Sequence, residues 1–372
     1  MNTPEMNEFY LVVNDKSGKN LKPEDGNTSS GTDLKQNTTT DDQAQWLFMP
    51  TSMLSTTNTE YFVFNKKAAR LAAPKQSEDD KEDAKLKLYD YTGDKAQKWT
   101  PDVSGSSSDA GAITNYFSDY VMGIKGNSKD SGKQVMQKAA DDENASRLWT
   151  IDSQSTFTLP TVQKGEYNAN AIPSPPIPDE NGNVESSSKR YLIGESLTPF
   201  YMVNDPERDI QNQIQNTPYY VMRREQYWNL IHQLVTDASS SGTETFEYEY
   251  GVTESTNLSI QDTMGITITQ TSGFDYVIGS SSVTSSFTEE LEVAFDESGT
   301  QSTISTTTTS YNITEGEPMT YCSWQLVDVY TLFDAKGDTV KNGNWSNNTV
   351  KISETSAPYV VNTTNVEGCI RD

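Results

Sequence analysis

His232 is the only histidine in a chain of 372 residues, and Cys322 and Cys369 are its only thiols. A single imidazole with no second His or nearby Cys gives no multi-histidine metal site and argues against a histidine-based triad. Two distant cysteines allow at most one disulfide and are too few for zinc. Carboxylates are abundant, at 53 against 28 basic side chains, yet no acid pair stands out by local motif. Separation in space, which the sequence does not give, defines a glycosidase pair. No catalytic residue, metal or cofactor is therefore expected. The net charge of −25 repels phosphate backbones, so nucleic acid is not an expected partner, and general attraction to anionic lipid is disfavoured.

The elements that could carry a function begin with a repeat. Ala44-Gln45-Trp46, Ala96-Gln97-Lys98-Trp99 and Ser146-Arg147-Leu148-Trp149 end alike, with their tryptophans 53 and 50 residues apart. Leu21, Leu71 and Val121 recur upstream at intervals of 50, each after an aromatic stretch: Phe9–Val13, Tyr61–Phe64, Tyr116-Phe117. Short strands at even spacing, separated by Gly, Asn, Asp and Ser clusters, predict an all-β barrel. Three tryptophans at related positions are expected to pack around its pseudo-threefold axis.

On these residues the segment 7–152 resembles a ricin-B-type β-trefoil, with the Gln-x-Trp signature intact only at Gln97–Trp99. That family binds sugars through an Asp two residues past the aliphatic, an aromatic platform and an Asn or Gln. The aligned positions here are Pro23, Ala73 and Gly123, so the sugar-orienting acid is missing from all three repeats. The most lectin-like stretch is Leu88-Tyr89-Asp90-Tyr91-Thr92-Gly93. The resemblance makes Tyr89 the platform, Asp90 the acceptor for sugar hydroxyls and Gln97 the amide. A plain strand with one exposed aromatic is the competing reading.

Composition changes near residue 155, which sets the expected boundary between a domain of residues 1–155 and one of 156–372. Prolines cluster from Ile172 to Pro178, favouring extended backbone. Residues 220–235 are the one short helical candidate, although their aromatics favour strand. Farther on, a Ser/Thr-rich stretch carries strict alternation. Leu258, Ile260, Met264, Ile266 and Ile268 share one face, broken by Asp262; Val283, Phe287, Leu291 and Val293 share another, broken by Glu289. Between them lies an apolar tip with Phe274, Tyr276, Val277 and Ile278. Folded back as a hairpin over about 256–297, Ile268 faces Val283, Met264 faces Phe287, Ile260 faces Leu291, and Asp262 falls opposite Glu289. A slip of one residue would scramble that match.

Arms of this length suit a transmembrane β-strand, which needs about 9–11 residues with apolar residues outward and Ser, Thr and Gly toward a lumen. On that reading Glu290 and Glu292 line the lumen. A soluble sheet with one buried face fits the same alternation. The apolar tip favours insertion, since an ordinary hairpin turn is short and polar. A lone hairpin leaves unpaired backbone groups in hydrocarbon, so several copies must close one barrel.

The block Pro199–Leu230, PFYMVNDPERDIQNQIQNTPYYVMRREQYWNL, resembles the opening signature of the toxin-10 pesticidal proteins, bacillus crystal toxins that include a two-component mosquitocidal toxin. The resemblance spans nearly the whole chain: a trefoil, that block, then an elongated aerolysin-type β-sheet pore-forming domain. It implies storage in parasporal crystal inclusions, release in an insect midgut, binding of a glycan, glycolipid or glycoprotein receptor, self-oligomerisation at the midgut membrane, and a possible second toxin component. The N-terminus, MNTPEMNEFYLVV, lacks the basic and apolar regions of a secretory signal, which fits inclusion storage. A lectin or adhesin with a β-rich stalk and no pore is the alternative, and an enzyme carrying a trefoil ranks third.

Overall fold

The computed structural model describes residues 1–51, 59–104, 109–167, 171–179, 181–250, 305–316, 318–341, 349–353 and 359–362. Every hairpin residue named above from Leu258 to Val293, with Glu290 and Glu292, lies outside them, as does Cys369. The described chain divides into two compact units.

The first unit holds three repeats of four strands. Repeat one has β1 (Glu8–Asn14), β2 (Lys19–Pro23), β3 (Leu34–Asn37) and β4 (Gln45–Pro50). Repeat two has β5 (Tyr61–Asn65), β6 (Leu71–Pro74), β7 (Leu86–Tyr89) and β8 (Lys98–Pro101). Repeat three has β9 (Ile113–Asn115), β10 (Val121–Ile124), β11 (Val135–Lys138) and β12 (Trp149–Thr156). Pairing runs β1–β4–β5–β8–β9, a bridge joins Gly111 to Trp149, and β12 returns to β1, so the barrel closes. Hairpins β2–β3, β6–β7 and β10–β11 cap it, joined in a ring by bridges Asp33–Lys87, Lys85–Met136 and Lys35–Gln134. This is a β-trefoil.

The repeat is held by the same bonds three times. Trp46, Trp99 and Trp149 are fully buried in one cluster, and each indole Nε1 donates to a main-chain oxygen, of Leu21 (2.9 Å), Ala72 (2.7 Å) and Met122 (2.9 Å). Asn14, Asn65 and Asn115, also fully buried, each donate through Nδ2 to carbonyls of the adjoining repeat. Their Oδ1 atoms accept main-chain N–H groups of the following turn. A buried amide left unbonded costs about 1–3 kcal/mol, which accounts for the double use of each asparagine.

These bonds correct the repeat alignment by one residue. Leu21, Ala72 and Met122 are equivalent, so the partner of Ala73 and Gly123 in repeat one is Lys22, not Pro23. The acid is still missing. The third aromatic pair also differs from expectation: β9 ends at Asn115, and Tyr116 and Phe117 stand in the turn, 45% and 49% exposed.

The first unit runs to Pro160 and also takes in Pro199–Tyr220, a segment the sequence reading assigned with everything after residue 155 to the second domain. That segment holds a 3-10 turn, Phe200–Met202, and helix α1 (Ile210–Asn216), capped where Asp209 Oδ1 accepts from Asn212 N at 2.7 Å.

The second unit is built on a sheet ordered β13 (Tyr191–Pro199), β14 (Tyr219–Thr236), β17 (Met319–Phe333) and β18 (Thr349–Ser353), with β19 (Tyr359–Asn362) also on β17. The helical candidate at 220–235 is thus strand β14, where β-branched and aromatic side chains fit a pleated surface. It pairs with β17 from Val221–Phe333 to Thr236–Met319, with a bulge between Leu230 and His232. β17 is buried on both faces between its ends, and Cys322 lies there as a buried thiol that burial pushes up to about 11. A two-stranded antiparallel ribbon, β15 (Gly242–Tyr250) and β16 (Ser305–Ile313), completes the unit.

Candidate functional site

The sugar-binding candidates sit where β7 leaves the trefoil. Tyr89 is half-buried at the end of β7, opposite Leu71. Asp90 follows it into solvent and forms an ion pair with Arg70 Nε at 2.8 Å. Arg70 also donates through Nη1 to Thr28 O at 2.6 Å. Gln97 is only 3% exposed: its Oε1 accepts from Thr92 N (2.9 Å) and its Nε2 donates to Asp90 O (2.8 Å). Asp94 caps the turn carrying Gln97 by accepting from Ala96 N. Gln97 therefore closes the loop that presents Asp90, and both of its polar atoms are committed to main chain. Tyr89, Asp90 and Arg70 are the partly or fully exposed residues here, a half-buried tyrosine next in sequence to a paired carboxylate and guanidinium. Such a pair can accept from one hydroxyl and donate to another. Arg70 carries no sequence signal of its own, because its pairing with Asp90 is set by the β6–β7 register.

Tyr91 turns the other way. Its ring lies 4.3 Å from that of Tyr201 and 5.2 Å from that of Phe62, and Phe64 packs on Tyr201 (5.0 Å, 20°) and Phe200 (5.0 Å). Burial raises the Tyr91 and Tyr201 phenols well above their ordinary value. The Pro199–Tyr220 segment is thus anchored on repeat two by Phe200 and Tyr201. Asp205 folds that segment on itself, accepting from Arg208 Nη1 (2.6 Å), Tyr220 Oη (2.9 Å) and Glu207 N (2.9 Å).

In the second unit the ribbon has two unlike faces. Thr245, Glu247, Glu249, Thr306, Thr308 and Ser310 are exposed, whereas Tyr248 and Tyr311 are buried and Phe246 is half-buried. The inward rings meet His232 of β14: Phe246 stacks on it at 4.3 Å and 9°, Tyr311 at 5.7 Å and 17°. Tyr311 also bonds to Ser323 through its hydroxyl, and Tyr321 Oη donates to Asn312 O at 3.0 Å. The sequence placed His232 as a structural residue, and here it is the plate on which the ribbon rests. Among the described residues no group of three His, Cys, Asp or Glu side chains converges as a metal site.

Residues 191–357 match the model of the family described as Insecticidal Crystal Toxin, P42. The insecticidal crystal protein Cry35Ab1 of Bacillus thuringiensis is 26% identical over 208 residues, covering 54% of this chain and 51% of that protein. The binary larvicide subunit BinA of Lysinibacillus sphaericus is 23% identical over 205 residues, 55% of this chain and 54% of that one. The matched stretch thus spans about half the length of these curated relatives. The crystal structure of Cry35Ab1 shares the fold over 97% of this chain and 91% of that one, with a TM-score of 0.72 at 18% identity. An all-β chain, a β-trefoil followed by a β-sheet unit, is therefore the architecture. Residues 191–357 thus resemble the insecticidal crystal toxins, and about half of the chain is similar to a binary larvicide subunit.

Proposed function

We propose that this protein is an insecticidal β-pore-forming toxin of two domains, about 1–155 and 156–372. The trefoil binds a midgut cell-surface glycan or glycosylated receptor through Tyr89 and Asp90, copies of the chain assemble, and each donates the hairpin at about 256–297 to a shared transmembrane barrel. The reading extends to storage in parasporal crystal inclusions before release. BinA is a binary larvicide subunit, which is the ground for proposing a second toxin component here.

The observation that carries the reading is the ribbon β15–β16. Its strands end at Tyr250 and Ser305, the two residues flanking the segment with the alternating apolar pattern, and its inner face is held by a few stacked rings. Its outer face of Ser, Thr and Glu has the composition expected along a pore lumen. Glu247 and Glu249 there, with Glu290 and Glu292, favour a cation-selective channel.

The test is dye release from liposomes of susceptible midgut lipids, before and after protease treatment. A disulfide between ribbon and sheet, made with His232→Cys and Phe246→Cys, should block release until a reductant is added. Full release by the oxidised double variant would refute insertion of this ribbon. Glycan binding that survives Tyr89→Ala would remove Tyr89 from the sugar site.

A further inference from the structure

A concavity of the trefoil, of about 750 Å³, opens between the β6–β7 and β10–β11 hairpins. Five of its lining side chains are lysines: Lys75, Lys85, Lys87, Lys125 and Lys138. Such a gathering is unexpected in a chain where acids outnumber bases 53 to 28.

Neighbouring acids answer only part of that charge. Lys75 pairs with Glu78 at 2.7 Å, Lys138 pairs with Asp83, and Lys85 (3.0 Å) and Lys87 (2.5 Å) share Asp33. Lys125 is exposed and forms no ion pair among the described residues. Three carboxylates thus pair with four of the five ammonium groups.

The pseudo-threefold symmetry supplies an internal control. Where the cleft has Lys75 and Lys125, repeat one has Glu24; the equivalents of Lys85 are Asp33 and Gln134; those of Lys138 are Asn37 and Tyr89. The trefoil closes equally well without lysine at these positions, so the fold does not demand them.

The lining excludes some ligands. No aromatic ring lines the cleft, so it offers no platform for the face of a neutral sugar. Lysine ammoniums are compact point charges that suit sulfate and carboxylate groups, and their stems with Met136 form the apolar floor. The volume lies within the ~300–1,000 Å³ of small-ligand pockets. A flat anionic membrane would meet the field of the whole acidic chain. A ligand inside the cleft feels only charges within a screening length of about 8 Å.

We infer that the cleft between the β6–β7 and β10–β11 hairpins is a binding site for an acidic oligosaccharide, one bearing sulfate or carboxylate groups. The inference rests on the reading of the trefoil as a glycan-binding domain, but neither on Tyr89 nor on pore formation.

The full chain is titrated calorimetrically with a heparin-derived hexasaccharide, sialyllactose and lactose, and mixed with phosphatidylserine vesicles. At least one acidic saccharide binds, more weakly as salt is raised. Lys85→Gln with Lys125→Gln lowers that affinity at least about tenfold, or about 1.4 kcal/mol. No binding of either acidic saccharide by the native chain overturns the site. So does equal binding by a double variant that melts like the native chain, or lysine-dependent binding of the vesicles alone. Loss of lactose binding in Tyr89→Ala, or its persistence, reports separately on the Tyr89 proposal.

Discussion

His232 and Phe246 lie ring on ring, 4.3 Å between centroids and 9° from parallel, joining strand β14 to the ribbon β15–β16. Stacked aromatic pairs contribute roughly 0.5–1.5 kcal/mol beyond the area they bury. Phe246→Ala removes the contact with His232 and that with Tyr311 (5.6 Å) together. It should lower the unfolding free energy by about 1–2 kcal/mol in urea denaturation. On the pore reading the same variant releases dye from liposomes faster than the native chain at equal dose; slower release would argue against a clasp.

Repeats one and three share a polar pair that repeat two replaces. Ser17 Oγ donates to Gln36 Oε1 at 2.7 Å, Ser118 contacts Gln137 in the same way, and the equivalent residues of repeat two are Ala68 and Leu88. Gln137 Nε2 also donates to Asp79 O (2.9 Å) and Lys81 O (3.0 Å). Gln137→Leu alone should cost about 1–3 kcal/mol, because it strands both carbonyls and leaves the Ser118 hydroxyl only its longer bonds to Asn115 Oδ1 (3.3 Å) and Tyr120 N (3.4 Å). Adding Ser118→Ala should recover part of that loss. A strictly additive double-mutant cycle would show that the two side chains do not act as a pair.

Arg224 and Asp328 form a two-point ion pair across β14 and β17, Nε–Oδ1 at 2.7 Å and Nη2–Oδ2 at 3.1 Å, both side chains nearly inaccessible. Arg224→Ala leaves a buried carboxylate without its cation, a change that costs about 3–5 kcal/mol. Calorimetry should find the second unit melting many degrees lower, while the trefoil transition stays where it was.

Alkaline pH acts on tyrosines unequally. Burial pushes the Tyr311 phenol up to about 12, with its bond to Ser323 pulling back, and burial raises Tyr10 and Tyr219 farther still. A phenol whose folded pKa exceeds the unfolded value of ~10 leaves stability intact below that pH; the stability is lost as pH rises toward the folded value. For Tyr311 the window is ~10 to about 12. Tyrosinate absorbance should therefore show an exposed set of phenols titrating before a late, cooperative set that coincides with loss of near-UV dichroism. The steep solubility gain expected from an acidic, tyrosine-rich chain in alkaline fluid comes before these buried rings ionise. A flat solubility curve from neutral to pH ~11 would dispose of that expectation.

The trefoil was legible because its determinants recur. The three tryptophans announced the repeat, and their burial in one cluster is what close packing of large rings around an axis requires. The one-residue slip at Pro23 arose because Leu21 and Leu71 match by type, whereas the bond from Trp99 goes to Ala72. Alanine has no pattern by which a sequence could mark it. Gln97 was readable as a motif but not as a brace, since its partners are backbone atoms of its own loop. The packing of Phe200 and Tyr201 on repeat two was hidden, because it joins residues more than a hundred positions apart. The lysine cleft was hidden for a related reason: its charges come from four separate strands and turns.

The barrel closes by pairing its first strand with its last, Asn14 opposite Trp149 and Glu8 opposite Thr156. During synthesis the edge of β1 that faces β12 must therefore wait until Thr156 has been made, although its pairing with β2 and β4 can form earlier. Deleting β1 would reopen the seam at the one place where no later segment is available to mend it.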